Sequence, residues 1–99
     1  MSQAMDELEA RAHRRLNRMR DLADEMTAVR ARETSPDGVV TVVVDGSGAL
    51  RELELSTGIT KLSPAEFERV LVSTAGQAAL RAFAERAELV TAFNEEAAE

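Results

Sequence analysis

Between positions 4 and 28 no Gly or Pro interrupts the chain. Met5, Leu8, Ala12, Leu16, Met19, Leu22, Ala23 and Met26 recur there at spacings of three and four. At about 100° per residue this places them on one stripe of a helix, so the spacing predicts a long helix over 4–28. Met5, Leu8, Ala12, Met19, Leu22, Met26 and Val29 also fit the a and d positions of a heptad, with Arg15 breaking the register. A stripe of this kind asks for a covering surface, either the core of the chain itself or a second helix.

From Val29 the period changes. Residues 29–35 alternate weakly and predict a short edge strand, and Ser35-Pro36-Asp37-Gly38 is a turn signal. Val39-Val40-Thr41-Val42-Val43-Val44 is a β-branched run with apolar positions on both faces. It reads as a central strand over 38–44, covered on both sides. Asp45-Gly46-Ser47-Gly48 supplies a hairpin turn, and 49–55 returns with Leu53 and Leu55 on one face and Glu52 and Glu54 on the other.

Ser63-Pro64-Ala65-Glu66 has the composition of a helix start: a capping Ser, Pro at the first helical position and Glu three residues after the cap. Phe67, Val70, Leu71, Ala75, Ala78, Ala79, Ala82, Phe83, Ala87, Val90 and Phe93 carry an apolar stripe from there, predicting a helix over 64–94. Gly76 is a weak point or a site of close packing, and residues 95–99 are expected to fray. The expected fold class is α+β: one domain over 1–99, with a long N-terminal helix, a small antiparallel sheet of two to three strands, and a long C-terminal helix. One helix cannot cover both faces of an apolar sheet, so a dimer is the economical arrangement. The sheet positions expected at its interface are Val40, Val42, Val44, Leu53 and Leu55.

With 99 residues there is no room for a large enclosed active site. No cysteine is present, which removes disulfides, thiolate nucleophiles and thiolate metal sites together. His13, the one imidazole, lies among Arg11, Arg14 and Arg15 with no nucleophile at a telling spacing. Carboxylate pairs such as Glu52 with Glu54, or Glu66 with Glu68, fall on exposed faces. Asp45-Gly46-Ser47-Gly48 lacks the further oxygen ligands of a calcium loop and the Lys of a phosphate loop. No enzyme activity, no metal and no cofactor are expected. No apolar run reaches membrane-spanning length, and Met1-Ser2-Gln3-Ala4-Met5-Asp6 lacks the basic-then-apolar order of a signal peptide, so a cytoplasmic location is expected. Three Phe and no Trp or Tyr leave little for the base stacking on which single-strand binders rely.

Charge is where the chain is unusual. The formal net charge is −6, which by itself speaks against a nucleic-acid binder. Yet residues 11–20 hold Arg11, Arg14, Arg15, Arg18 and Arg20 and no acidic residue, +5 in all, and the rest of the chain therefore carries −11. Arg11, Arg14, Arg15 and Arg18 fall at i, i+3, i+4 and i+7, within about 100° of helix circumference beside the apolar stripe. Two like-charge pairs at i, i+4 favour an anionic partner. The bland alternative is a solvated face, with Glu7 reaching Arg11, Asp21 reaching Arg18 and Asp24 reaching Arg20.

Gly38-Val39-Val40-Thr41-Val42-Val43-Val44-Asp45-Gly46, followed by Leu50, Leu53, Glu54 and Leu55, resembles the central hairpin of the YbaB/EbfC family of nucleoid-associated proteins. The flanking helices extend the resemblance over about residues 4–94. The resemblance implies an α-β-β-β-α fold and a homodimer joined through the sheets, with helices projecting like tweezers. It also implies DNA binding with little sequence preference. The role of phosphate contact carries over to Arg11, Arg14, Arg15, Arg18 and Arg20, with Arg30 and Arg32 as lesser candidates. The chain departs from that pattern in its acidity, its single Lys and its lack of a basic tail. Some similar proteins are encoded beside type VII secretion systems, which implies the alternative of a protein-interaction or secretion-associated accessory module without physiological DNA binding.

Overall fold

The structure, a computed structural model, describes residues 2–98. Met1 and Glu99, the outermost positions of the expected domain and of the expected frayed end, lie outside the described residues. Helix α1 spans Ser2–Thr27, and strands β1 (Arg30–Thr34), β2 (Val40–Asp45) and β3 (Leu50–Leu55) follow. A short 3-10 helix (Thr57–Lys61) then leads into helix α2 (Pro64–Ala98). The three strands form one antiparallel sheet in the order β1-β2-β3.

Local chemistry sets most of these boundaries. The last carbonyls of α1 have no helical partner. Arg30 supplies one, its Nη1 donating to Thr27 O at 3.1 Å and to Val29 O at 2.8 Å as the chain turns into β1. Asp37 Oδ1 accepts from Ser35 Oγ and from Val39 N, while Ser35 Oγ accepts from Val40 N, which folds the β1–β2 turn onto its own side chains. In the β2–β3 turn, Asp45 Oδ1 accepts from Ser47 N, Ser47 Oγ and Ala49 N. Helix α2 begins with a reciprocal cap, in which Glu66 N donates to Ser63 Oγ at 3.1 Å and Ser63 N to Glu66 Oε1 at 3.3 Å.

The core is small and lies on one face of the sheet. Val40, Val42 and Val44 are fully buried under α2, beside Val29, Ala31, Val39, Ala78 and Ala82. The opposite face of β2 differs from the two-sided cover that its apolar run suggests. Thr41 and Val43 are only half-buried there, because among the described residues no helix of the protomer crosses that face. Side chains of the flanking strands screen it instead: Arg32 Nη2 meets Glu54 Oε2 at 2.9 Å, and the hydroxyls of Thr34 and Thr41 are 2.9 Å apart.

Cover is also uneven on the helix side. Arg81 of α2 donates to Arg32 O at 2.6 Å and pairs with Glu33 at 2.8 Å, which draws α2 over β1 and β2. Leu53 and Leu55 pair across β2 and β3 with Val42 and Val40, so they share the core face, yet they are 42% and 47% exposed. Val72 and Phe83, on one flank of α2, are exposed as well, and Leu80 is exposed on the side turned away from the sheet.

The outline is far from spherical, at 75 × 19 × 16 Å. Its radius of gyration of 20.6 Å far exceeds the roughly 13 Å of a compact chain of this length. The length comes from the helices. Met26 lies near Arg86, whereas Arg18 meets Glu96, so α1 runs antiparallel to the end of α2. No residue of α1 is buried. Helix α2 continues to Ala98, past the fraying point that its Glu-rich composition suggests, and its last turn is held to α1 by the Arg18–Glu96 contact.

Candidate nucleic-acid interface

Helical periodicity alone groups the arginines, and the structure keeps that grouping. Arg11, Arg14, Arg15 and Arg18 line one open groove where α1 passes the end of α2. Leu8, Ala12, Leu16 and Met19 of α1 supply its apolar wall, and Phe93, Glu96 and Ala97 of α2 close the other side. Arg20 is exposed but does not line the groove.

Neutralisation within the chain is partial. Arg18 Nε donates to Glu96 Oε2 at 2.7 Å, and its Nη1 stands 3.5 Å from Asp21. The hydrogen bond to Glu96, aided by the charges of Glu96, Glu25 and Asp21, raises the Arg18 pKa further above its ordinary value. Arg11, Arg14, Arg15 and Arg20 make no ion pair among the described residues. Of the three local pairs that sequence spacing allows, the structure forms Arg18 with Asp21 and neither Glu7 with Arg11 nor Asp24 with Arg20. Three guanidinium groups thus line the groove with no described carboxylate within 4 Å.

Arg30 and Arg32 lie apart from this cluster and are committed elsewhere, Arg30 to the carbonyls after α1 and Arg32 to Glu54. Arg30 does line a second hollow at the base of α1, with Arg51, Arg86, Asp45 and Gly46. Its three cations are all occupied: Arg86 donates to Gly46 O at 2.8 Å, and Arg51 stands 3.7 Å from Asp45. That hollow ties α1, the β2–β3 turn and α2 together.

The five expected interface positions divide. Val40, Val42 and Val44 are beneath α2 in the protomer, while Leu53 and Leu55 stay open at the β3 side. Leu50 and Phe83 extend that open surface, whose exposure the sequence does not announce, because a helical or strand period shows which residues share a face and not what covers it. His13 is exposed on α1, Glu52 and Glu54 are exposed on β3, and Glu66 is spent in the cap of α2. Among the described residues no group of three His, Asp or Glu side chains is placed to hold a metal ion, and no helix is long and apolar enough to cross a membrane.

The YbaB/EbfC DNA-binding family matches residues 1–96. The crystal structure of uncharacterized protein HP0035 from Helicobacter pylori is similar in fold, with a TM-score of 0.66 over 89% of this chain and 91% of that one, at 19% sequence identity. No curated protein matches.

Proposed function

The chain belongs to the YbaB/EbfC DNA-binding family, and from that premise we propose that it binds duplex DNA as a homodimer, with little sequence preference, through phosphate contacts from the arginines of α1. The carrying observation is that Arg11, Arg14 and Arg15 share one face of a helix without buried residues and have no carboxylate partner among the described residues. Arg18 and Arg20 add to the same arm. Phosphate contacts carry no base information, and a short cluster of guanidinium groups is suited to the backbone charge of any sequence. A cytoplasmic, nucleoid-associated protein follows from this reading.

The dimer is supported by the uncovered part of the sheet. Leu50, Leu53 and Leu55, with Phe83 on the adjoining flank of α2, form an apolar surface that a second copy is suited to cover. Two copies double the number of arginine clusters. The −11 carried by the rest of each chain repels the duplex, so the affinity is modest and falls steeply with salt.

Titrating a labelled random duplex at several salt concentrations tests the proposal. Replacing Arg11, Arg14 and Arg15 by Ala flattens the slope of log K against log salt by about 0.9 for each phosphate no longer neutralised, with the dimer mass unchanged. Unaltered binding by that variant would remove the assignment.

A further inference from the structure

We propose that the groove between the free parts of α1 and α2 is also a docking site for an amphipathic helix of another protein, one that carries acidic residues beside its apolar stripe. Phosphate binding uses the arginine rim and leaves the floor unexplained. Leu8, Leu16 and Met19 are 55%, 44% and 53% exposed, and Phe93 faces the same trough. Three large, roughly half-exposed apolar side chains beside a half-buried Phe93 in one concavity are an unusual thing to leave in water, and a sugar-phosphate backbone gives them nothing to bury against.

Length and charge select the occupant. Leu8 to Met19 is 12 residues of helix, about 16 Å from first to last at 1.5 Å per residue, so the trough accepts a helix of about three turns lying along α1. Arg11, Arg14, Arg15 and Arg18 stand along it, and the carboxylates that meet them, Glu96 and Asp21, both pair with Arg18. A neutral or basic helix would leave these cations unmatched, while carboxylates flanking an apolar stripe meet them at the rim of the contact. A second copy of α1 is a poor match, since it brings the same arginines beside the same stripe. This inference shares its arginines with the DNA reading but rests on the apolar floor, which that reading does not use.

The test uses the full chain and two labelled peptides of about 20 residues: one with Leu at helical spacing and Glu on the flanks, the other a scramble of equal composition and charge without the stripe. The helical peptide is expected to bind about tenfold more tightly than the scramble. Replacing Leu16 and Met19 together by Ser, which keeps every arginine, is expected to remove that advantage, and Phe93→Ala, on the other wall, to reduce it. Both variants retain their circular dichroism and their affinity for duplex DNA. Equal binding of the two peptides, or full retention of the advantage in both variants, overturns the proposal. So does assembly of the wild type beyond a dimer that either variant abolishes, because the groove is then filled by another copy. Peptide binding without any duplex binding would reject the DNA reading and leave this one standing.

Discussion

Arg18 donates from Nε to Glu96 Oε2 at 2.7 Å, joining α1 to the last turns of α2 across 78 positions of chain. One member of the arginine cluster is thereby neutralised by the chain itself, and in the proposed binding mode DNA has to displace Glu96 to use it. Glu96→Gln removes the charge and keeps the size. The expected result is tighter duplex binding and a salt slope steeper by up to about 0.9 per protomer, measured by anisotropy titration. Both side chains reach solvent, at 39% and 56% exposure, so thermal stability should change little. Weaker binding would show that the pair serves to position the arm rather than to mask it.

The uneven cover of the sheet separates two residues that share a face. Val42 is fully buried at the centre of β2, whereas its cross-strand neighbour Leu53 is 42% exposed. Val42→Ala removes two methyl-sized groups from a packed site and should cost about 2–3 kcal/mol in a urea titration, transfer and cavity terms together. Leu53→Glu leaves the protomer core intact. It places a carboxylate on the proposed dimer surface, so light scattering should report a monomer with unchanged helix content. A dimer that survives both Leu53→Glu and Phe83→Glu would move the interface elsewhere.

What the chain discloses before folding follows from how local each signal is. The α1 arginines and the Ser63–Glu66 cap repeat at spacings of three and four, and a helix brings such positions together by itself. The valines of β2 announce a strand for the same reason, since alternation and β-branching are properties of neighbours. Non-local placement is another matter. Arg81 reaches β1 across 48 and 49 positions and decides which part of the sheet α2 covers, hence why Val40, Val42 and Val44 are enclosed while Leu53 and Leu55 are open. The second wall of the groove, Phe93 and Glu96, is farther still from α1 in sequence, with 78 positions between Arg18 and Glu96.

Stability should fall in acid through the turns. The Ser47 hydroxyl, aided by the backbone N–H groups of Ser47 and Ala49, holds Asp45 below the ordinary carboxylate range, and the Ser35 hydroxyl with Val39 N does the same for Asp37. Because both folded-state values are depressed, the stabilisation is present above the unfolded value near 4 and is lost as pH falls through the lower folded one. Asp45→Asn retains an acceptor oxygen but cannot titrate. Urea midpoints below about pH 4 should therefore decline less steeply for that variant than for the wild type. Parallel decline in the two proteins would assign acid sensitivity to other carboxylates.

Two glycines of the turns test whether the β2–β3 corner belongs to a larger surface. Gly38 and Gly48 both have positive φ, +74° and +83°, so an L side chain at either position carries left-handed backbone strain, about 1–2 kcal/mol. Their surroundings differ. A Cβ on Gly38 meets open space, whereas one on Gly48 comes within 2.9 Å of the Phe83 ring. Phe83 is 46% exposed on its own protomer and can swing away, so in an isolated chain the added cost is small. In the proposed dimer that ring is part of the contact and its displacement is felt by the second copy. Gly38→Ala should then lower the urea midpoint with the dimer dissociation constant unchanged, and Gly48→Ala should lower the midpoint and also weaken the dimer. Equal dissociation constants for the two variants would take Phe83 out of the interface.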